Sequence, residues 1–217
     1  MARFTIVIGN KNYSSWSLRG WIALRSCTED FDEIPILLRK PTTGADIHAH
    51  SPAGKVPVLI DRERVIWDSL AICEYLAEIF PQAGLWPENL EAHAHARAVS
   101  AEMHAGFAGL RKDMPMNCRA SLPGRGATQA ALTDIARIEA MWNDCRARFG
   151  GGGDFLFGHF TVADAMYAPV ASRLATYQPA LGPTASAYVE AIHGLPAMAQ
   201  WIVAARSESD RLVEMER

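Results

Sequence analysis

Apolar positions along the first 80 residues switch between two spacings. Residues 4–9 (FTIVIG) form a short run rich in β-branched side chains, the pattern of a buried strand. Residues 16–27 then place Leu18, Trp21, Ile22 and Leu24 at helical spacing. Residues 33–39 (EIPILLR) read as a second strand, and Pro35, which cannot donate to a ladder, points to an edge position. Residues 56–60 and 64–67 predict two short strands about the polar turn Asp61-Arg62-Glu63. Residues 70–80 predict a helix, with Leu70, Cys73, Ala77 and Phe80 on one stripe and Ile72, Leu76 and Ile79 beside it. The predicted order is β-α-β, a loop segment, then β-β-α.

The pattern changes after Pro81. Gly84 and Pro87 mark a linker at 83–90 between a first domain at 1–82 and a second at 91–217. Beyond it the strand signal fades. Residues 91–111 predict one long helix, and 130–149 another, with Leu132, Ile135, Ile138, Trp142, Cys145 and Phe149 at helical spacing. The glycine run 150–153 stops that helix, and 161–177 and 195–205 predict two more. Alternating β/α followed by all-α is a two-domain pattern.

Composition narrows the function classes. The chain is 49% apolar and 21% charged, with a net charge of -3, so it carries no basic footprint for nucleic acid. No apolar run approaches the roughly 20 residues of a membrane span. The N-terminal run is too short for a signal peptide, so a cytoplasmic protein is expected. Four cysteines without a CxxC pair predict neither a disulfide framework nor a cysteine metal site. His48/His50 and His93/His95 are two apart and do not share a helix face, so no metal is expected.

Three junctions offer chemistry. Tyr13-Ser14-Ser15-Trp16-Ser17 sits where the first strand meets the first helix, so its hydroxyls lie beside unpaired helix N–H groups. Plain N-capping explains two serines there; so does a hydroxyl that donates to a thiolate at the helix N-terminus. A free thiol is only about a few per cent ionised near neutrality. Lowering its pKa by two units requires roughly 2.7 kcal/mol. One charge-assisted hydrogen bond of about 1.5–3 kcal/mol plus a helix-end contribution of about 0.3–1 kcal/mol is the right size. The second junction, Ser51-Pro52-Ala53-Gly54-Lys55-Val56-Pro57, breaks regular pairing at a strand mouth. In the third, Asp68 and Ser69 stand where a helix begins, suited to capping or to an anion.

The order of these segments resembles the glutathione transferase superfamily over essentially the whole chain. SPAGKVPVL followed by WDSLAICEYLAEIFP is similar to that family's glutathione-binding core. The resemblance implies an α/β thioredoxin-like N-terminal domain followed by an all-α helical-bundle domain. It implies that Val56, before a cis Pro57, pairs with the cysteinyl backbone of glutathione. Lys55 would then lie near the glycine end, and Asp68 with Ser69 would hold the γ-glutamyl end. Asp68 stands where many members carry glutamate. FTVADA at 160–165 resembles the family's N-capping box and hydrophobic staple, with Thr161 and Asp164 in a folding role. SSWSLRGWIAL is similar to the SSC-x-x-R loop of the zeta class, whose members isomerise maleylacetoacetate, with Trp16 in place of cysteine. Arg173 lies about one turn away from that class's substrate arginine.

By position Ser14 is the first candidate for the thiolate donor, Ser15 the second and Tyr13 the third. On the long predicted helix Ser100, Met103, His104, Phe107 and Arg111 share a face, which reads either as core or as a pocket for a second substrate. The expected function is a glutathione transferase that activates the thiol of its co-substrate for attack on an electrophilic small molecule. The alternatives are a zeta-like cis–trans isomerase, a peroxidase using the same thiolate, or a non-catalytic binding module. A homodimer is implied by the resemblance.

Overall fold

In the computed structural model, which describes residues 2–216, the first half of the chain lays down four strands in the order β2-β1-β3-β4. They are β1 (Phe4–Gly9), β2 (Phe31–Ile36), β3 (Val58–Asp61) and β4 (Arg64–Trp67). β1 pairs parallel with β2, Phe4 opposite Phe31, and antiparallel with β3, Phe4 opposite Asp61. β2 is an edge strand, the place Pro35 requires. β3 and β4 form a hairpin in which Arg62 takes a left-handed turn conformation at φ 57°.

Alternation along β1 sends its side chains to both faces of the sheet. Phe4, Ile6 and Ile8 join the main core with α1 (Ser15–Cys27) and α3 (Ser69–Ile79). Val7 points the other way, to Ile36, Val58 and Ile47. Ile47 belongs to α2 (Thr43–His48), a short helix in the segment that the sequence pattern left as loop. Only one of its six residues is buried, so it has no apolar stripe to read.

Asp61, at the end of β3, is inaccessible to solvent and accepts hydrogen bonds from Arg3 Nε (2.9 Å), Arg3 Nη2 (2.7 Å) and Tyr75 Oη (2.7 Å). The Arg3 hydrogen bonds hold its carboxyl down to about 2, below the 3.8 of a free side chain. A depressed carboxylate stabilises the fold fully above its unfolded pKa and loses that contribution as the proton returns. Unfolding free energy should therefore fall between about pH 4 and pH 2 in the wild type. In Asp61→Asn the fall over that window should be smaller, as urea titrations at stepped pH would show.

The second half is helical: α4 (Leu90–Ala105), α5 (Ala108–Asp113), α6 (Gln129–Phe149), α7 (Val162–Tyr177), α8 (Pro183–Gly194) and α9 (Pro196–Ser207). α7 runs through the centre with all but one of its residues buried, packing on α1, α4 and α8. Its start is fixed by Asp164, which takes four donors: Leu156 N (3.1 Å), Tyr188 Oη (2.9 Å), and Thr161 N and Oγ1 (both 2.8 Å). Burial pushes the Asp164 carboxyl above its usual range, against the pull of those donors.

Two expectations are corrected. The long helix at 91–111 is broken: Phe107 sits at φ 63°, in the left-handed region, and separates α4 from α5. Arg111 folds back to cap the carbonyls of Gly106 (2.8 Å) and Met103. Periodicity carried across the break because Phe107 and Leu110 are both buried on either reading. α8 was not anticipated, since it buries only Ala185, Tyr188 and Ile192, a thin stripe containing one small residue.

Candidate active site

A cleft of about 920 Å³ lies between the two halves, and all three junctions open into it. Ser14 N-caps α1: its Oγ accepts from Ser17 N (3.3 Å) and donates to Ser17 Oγ (2.7 Å), which in turn accepts from Gly9 N (3.0 Å). Ser15, the first residue of α1, also lines the cleft. Tyr13 lines it too, but its hydroxyl is occupied: it donates to Glu216 and accepts from Arg119 Nη2 (2.8 Å) and Leu212 N (3.2 Å).

The Val56–Pro57 peptide bond is cis, and Val56 stands two residues before β3, on the cleft wall beside exposed Lys55. Asp68 N-caps α3, with Oδ1 accepting from Leu70 N at 2.9 Å, while its Oδ2 lies 3.2 Å from His104 Nε2. The neighbouring Ser69 hydroxyl faces the cleft, buried and without a hydrogen-bond partner among the described residues.

From the helical half, His104 and Arg111 reach the cleft. Met103 and Phe107 do not: both are packed in the core, where the break after α4 turns Phe107 inward, and Ser100 is buried with them. The shared face expected of these residues is thus split between core and cleft. Arg173 joins the cleft from α7, fully buried, its Nε donating to Met114 O at 2.9 Å and Nη1 to Pro169 O at 3.2 Å. It is the one basic residue of α7.

Two guanidinium groups lie against the Trp16 ring, Arg19 at 4.4 Å and Arg111 at 4.8 Å from its centre, with the His104 ring edge-on at 5.2 Å. Arg19 is wholly buried, and among the described residues neither its Nη1 nor its Nη2 has a partner; Arg111 Nη1 is likewise unpaired there. Among the described residues no carboxylate lies within ion-pair distance of Arg19, Arg111 or Arg173. Burial and then the neighbouring guanidinium groups lower two of them: Arg173 falls to about 10, and Arg19 falls well below its ordinary value. Desolvation likewise lowers Arg111. Arg111 and Arg173 line the cleft without a paired carboxylate, with Arg19 buried behind Trp16, an arrangement suited to an anion.

Comparison with known proteins shows the family. Residues 13–79 match the profile described as "Glutathione S-transferase, N-terminal domain", and residues 122–204 match "Glutathione S-transferase, C-terminal domain", together more than half of the chain. The chain belongs to the glutathione transferase superfamily.

This member is 26% identical over 157 residues to a Caenorhabditis elegans protein named probable maleylacetoacetate isomerase, covering 70% of this chain and 72% of that one. It is 27% identical over 198 residues to Arabidopsis thaliana glutathione S-transferase Z2, covering 86% and 87%. Identity reaches 44% with the maleylacetoacetate isomerase of Rhizobium meliloti, but over 89 residues, about two fifths of each chain. Among solved structures, a glutathione transferase homologue from Burkholderia with bound glutathione superposes at TM-score 0.72 and 21% identity, covering 94% of this chain and 99% of that one. A bacterial maleyl pyruvate isomerase of the zeta class superposes at 0.69 and 23%, covering 95% and 100%. At such identities the structures establish the fold.

A sequence-level reading does not find the last wall of the cleft in this superfamily member. The chain returns after α9: Glu208 accepts from Lys11 N (2.6 Å) and Asn12 N (3.0 Å), Asp210 pairs with Lys40 (2.6 Å), and Leu212 and Met215 line the cleft. The cysteines are unpaired, and burial pushes Cys27, Cys73 and Cys145 up to about 12 and raises Cys118. Thiol chemistry from the chain itself is thereby disfavoured. Among the described residues no three His, Cys, Asp or Glu side chains gather as a metal site, and no helix is long and apolar enough to cross a membrane.

Proposed function

We propose that this protein binds glutathione in the cleft, ionises its thiol beside Ser14, and directs the thiolate at an electrophilic carbon of an anionic small molecule. The observation that carries this is the convergence of Ser14, Val56 and Asp68–Ser69 on one cleft that also takes in Arg111 and Arg173, neither of them within ion-pair distance of a carboxylate among the described residues. Val56 would pair with the peptide backbone of glutathione, Lys55 would meet its glycine carboxylate, and Asp68 and Ser69 would take the γ-glutamyl end.

The sulfur would sit at the N-terminus of α1, where the helix dipole and the Ser14 hydroxyl favour the anion. Rotation of two protons completes the arrangement. Ser17 Oγ already accepts from Gly9 N and would turn its own proton to Ser14 Oγ, freeing the Ser14 proton for the sulfur. A donor that itself accepts two hydrogen bonds is polarised into a stronger one. Ser15 is the second candidate. Tyr13 is not favoured, because the C-terminal segment holds its hydroxyl.

Two reactions use such a thiolate. In transfer, the sulfur–carbon bond forms and either a leaving group departs or the adjacent carbon takes a proton. In isomerisation, the sulfur adds to a cis double bond, the new single bond rotates, and elimination restores both the alkene and glutathione. The arginine cluster favours the second reading, since an unsaturated dicarboxylate would satisfy it, as do relatives named isomerases. A homodimer is expected from the family.

Glutathione titration should quench or enhance the fluorescence of Trp16 and Trp67, which flank the site, and thiolate absorbance should rise well below pH 8. Incubation with a cis keto-dicarboxylate alkene then separates the reactions. Accumulating trans product with glutathione undiminished marks an isomerase; loss of glutathione to a stable adduct marks a transferase. Absence of binding at millimolar glutathione would overturn the proposal and leave a binding module of this fold.

A further inference from the structure

Asp68 has little freedom left. Its backbone lies at φ 75°, a region that few residues other than glycine occupy, and its Oδ1 is held by the Leu70 N–H. Aspartate has one methylene fewer than glutamate, so the carboxylate cannot reach a ligand by extending. Its remaining oxygen, Oδ2, meets His104 Nε2 at 3.2 Å, across the cleft from the end of α4.

His104 is itself fixed. Its ring stands edge-on to Trp16, and its Nδ1 is buried with no partner among the described residues. A proton on that nitrogen would be a buried, unsatisfied donor, so of the two neutral tautomers the one with its proton on Nε2 is favoured. Nε2–H then donates to Asp68 Oδ2. A carboxylate oxygen has two lone pairs, and the second remains open to the cleft. The unpartnered Ser69 hydroxyl lies next to it, so a cation acceptor and an anion donor stand side by side. That pair matches the zwitterionic head of an α-amino acid.

We infer that His104 is a positioning residue for Asp68, holding Oδ2 where the ammonium of a γ-glutamyl group is received. This moves His104 from the second-substrate pocket to the glutathione end, and it rests on the glutathione reading of the cleft. A structural bridge between the two halves would also place His104 against Asp68, and the two roles differ in what they make the ligand's amine worth.

The test compares glutathione with its deaminated analogue, glutaryl-cysteinyl-glycine, on wild type, His104→Ala and His104→Gln. Wild type should bind glutathione tenfold or more tighter than the analogue, the worth of about one charge-assisted hydrogen bond. In His104→Ala glutathione affinity should fall by about fivefold to tenfold while that of the analogue holds, so the preference shrinks. His104→Gln, whose amide N–H can reach the carboxylate, should restore most of the preference. KM for glutathione should rise more than kcat changes. Because the preference is a ratio measured within each variant, a general loss of stability does not imitate it. Equal weakening of both ligands, or an unchanged preference in His104→Ala, overturns the inference while the glutathione reading stands. Failure of wild type to bind either ligand overturns both.

Discussion

Ser14→Ala is expected to raise the thiol pKa of bound glutathione by about two units and to lower kcat/KM near neutral pH by roughly a hundredfold. The loss reflects one hydrogen bond to the sulfur anion at the N-terminus of α1, where Ser14 lines the cleft. Ser14 is also the N-cap of that helix, so alanine should cost about 1 kcal/mol of stability, too little to empty the folded state. Ser17 reports on the relay. It lies wholly buried behind Ser14, and Ser17→Ala should raise the thiol pKa part of the way without touching the ligand. Thiolate absorbance of the bound complex against pH reads all three variants directly. A larger shift from Ser15→Ala than from Ser14→Ala would transfer the donor role to Ser15. No shift in either would remove serine from the mechanism.

Asp164→Ala should destabilise the protein by about 3–5 kcal/mol, lowering the midpoint of thermal unfolding by roughly 10 °C. Its carboxylate is completely buried and gathers Leu156 N, both Thr161 donors and Tyr188 Oη. Alanine leaves those donors without an acceptor in a place that water does not reach, and each orphaned group costs about 1–3 kcal/mol. Tyr188→Phe removes one donor and its need together, so its loss should be much smaller. Urea unfolding of the two variants checks the order. A loss under 1 kcal/mol in Asp164→Ala would mean that the start of α7 is held by packing instead.

The effect reaches the site through α7, since the same helix carries Arg173 into the cleft and packs on α1 below Ser14.

What the sequence carried, it carried through periodicity, capping and local chemistry. β1 and α1 are legible because a β-branched run gives way to helical spacing at a Ser-Ser junction. Asp68 and Ser69 are legible as a helix start because a capping residue precedes an apolar stripe, and α6 is long enough for its stripe to be unambiguous. The resemblance to a family rests on the order of these segments, and the profile matches confirm it.

Only the tertiary structure decided which side chains share the cleft. A break of two residues, Gly106 and Phe107, separated His104 from Arg111 along the helix; Arg111 then returned to the same wall by capping the end it had left. Such a break is set by how α5 packs on α6, which spacing along one segment does not contain. Arg19, Arg111 and Arg173 stand far apart in the chain: α1 packs on α7, and Arg111 comes from α5 to the same Trp16 ring as Arg19. The chain after α9 gives no signal of its own, because its place depends on Lys11, Asn12, Lys40 and Arg119 waiting elsewhere. Local patterns fix the elements that carry a clear apolar stripe or cap; the contacts between distant segments decide the thin helices, the α4–α5 break and what the elements hold in common.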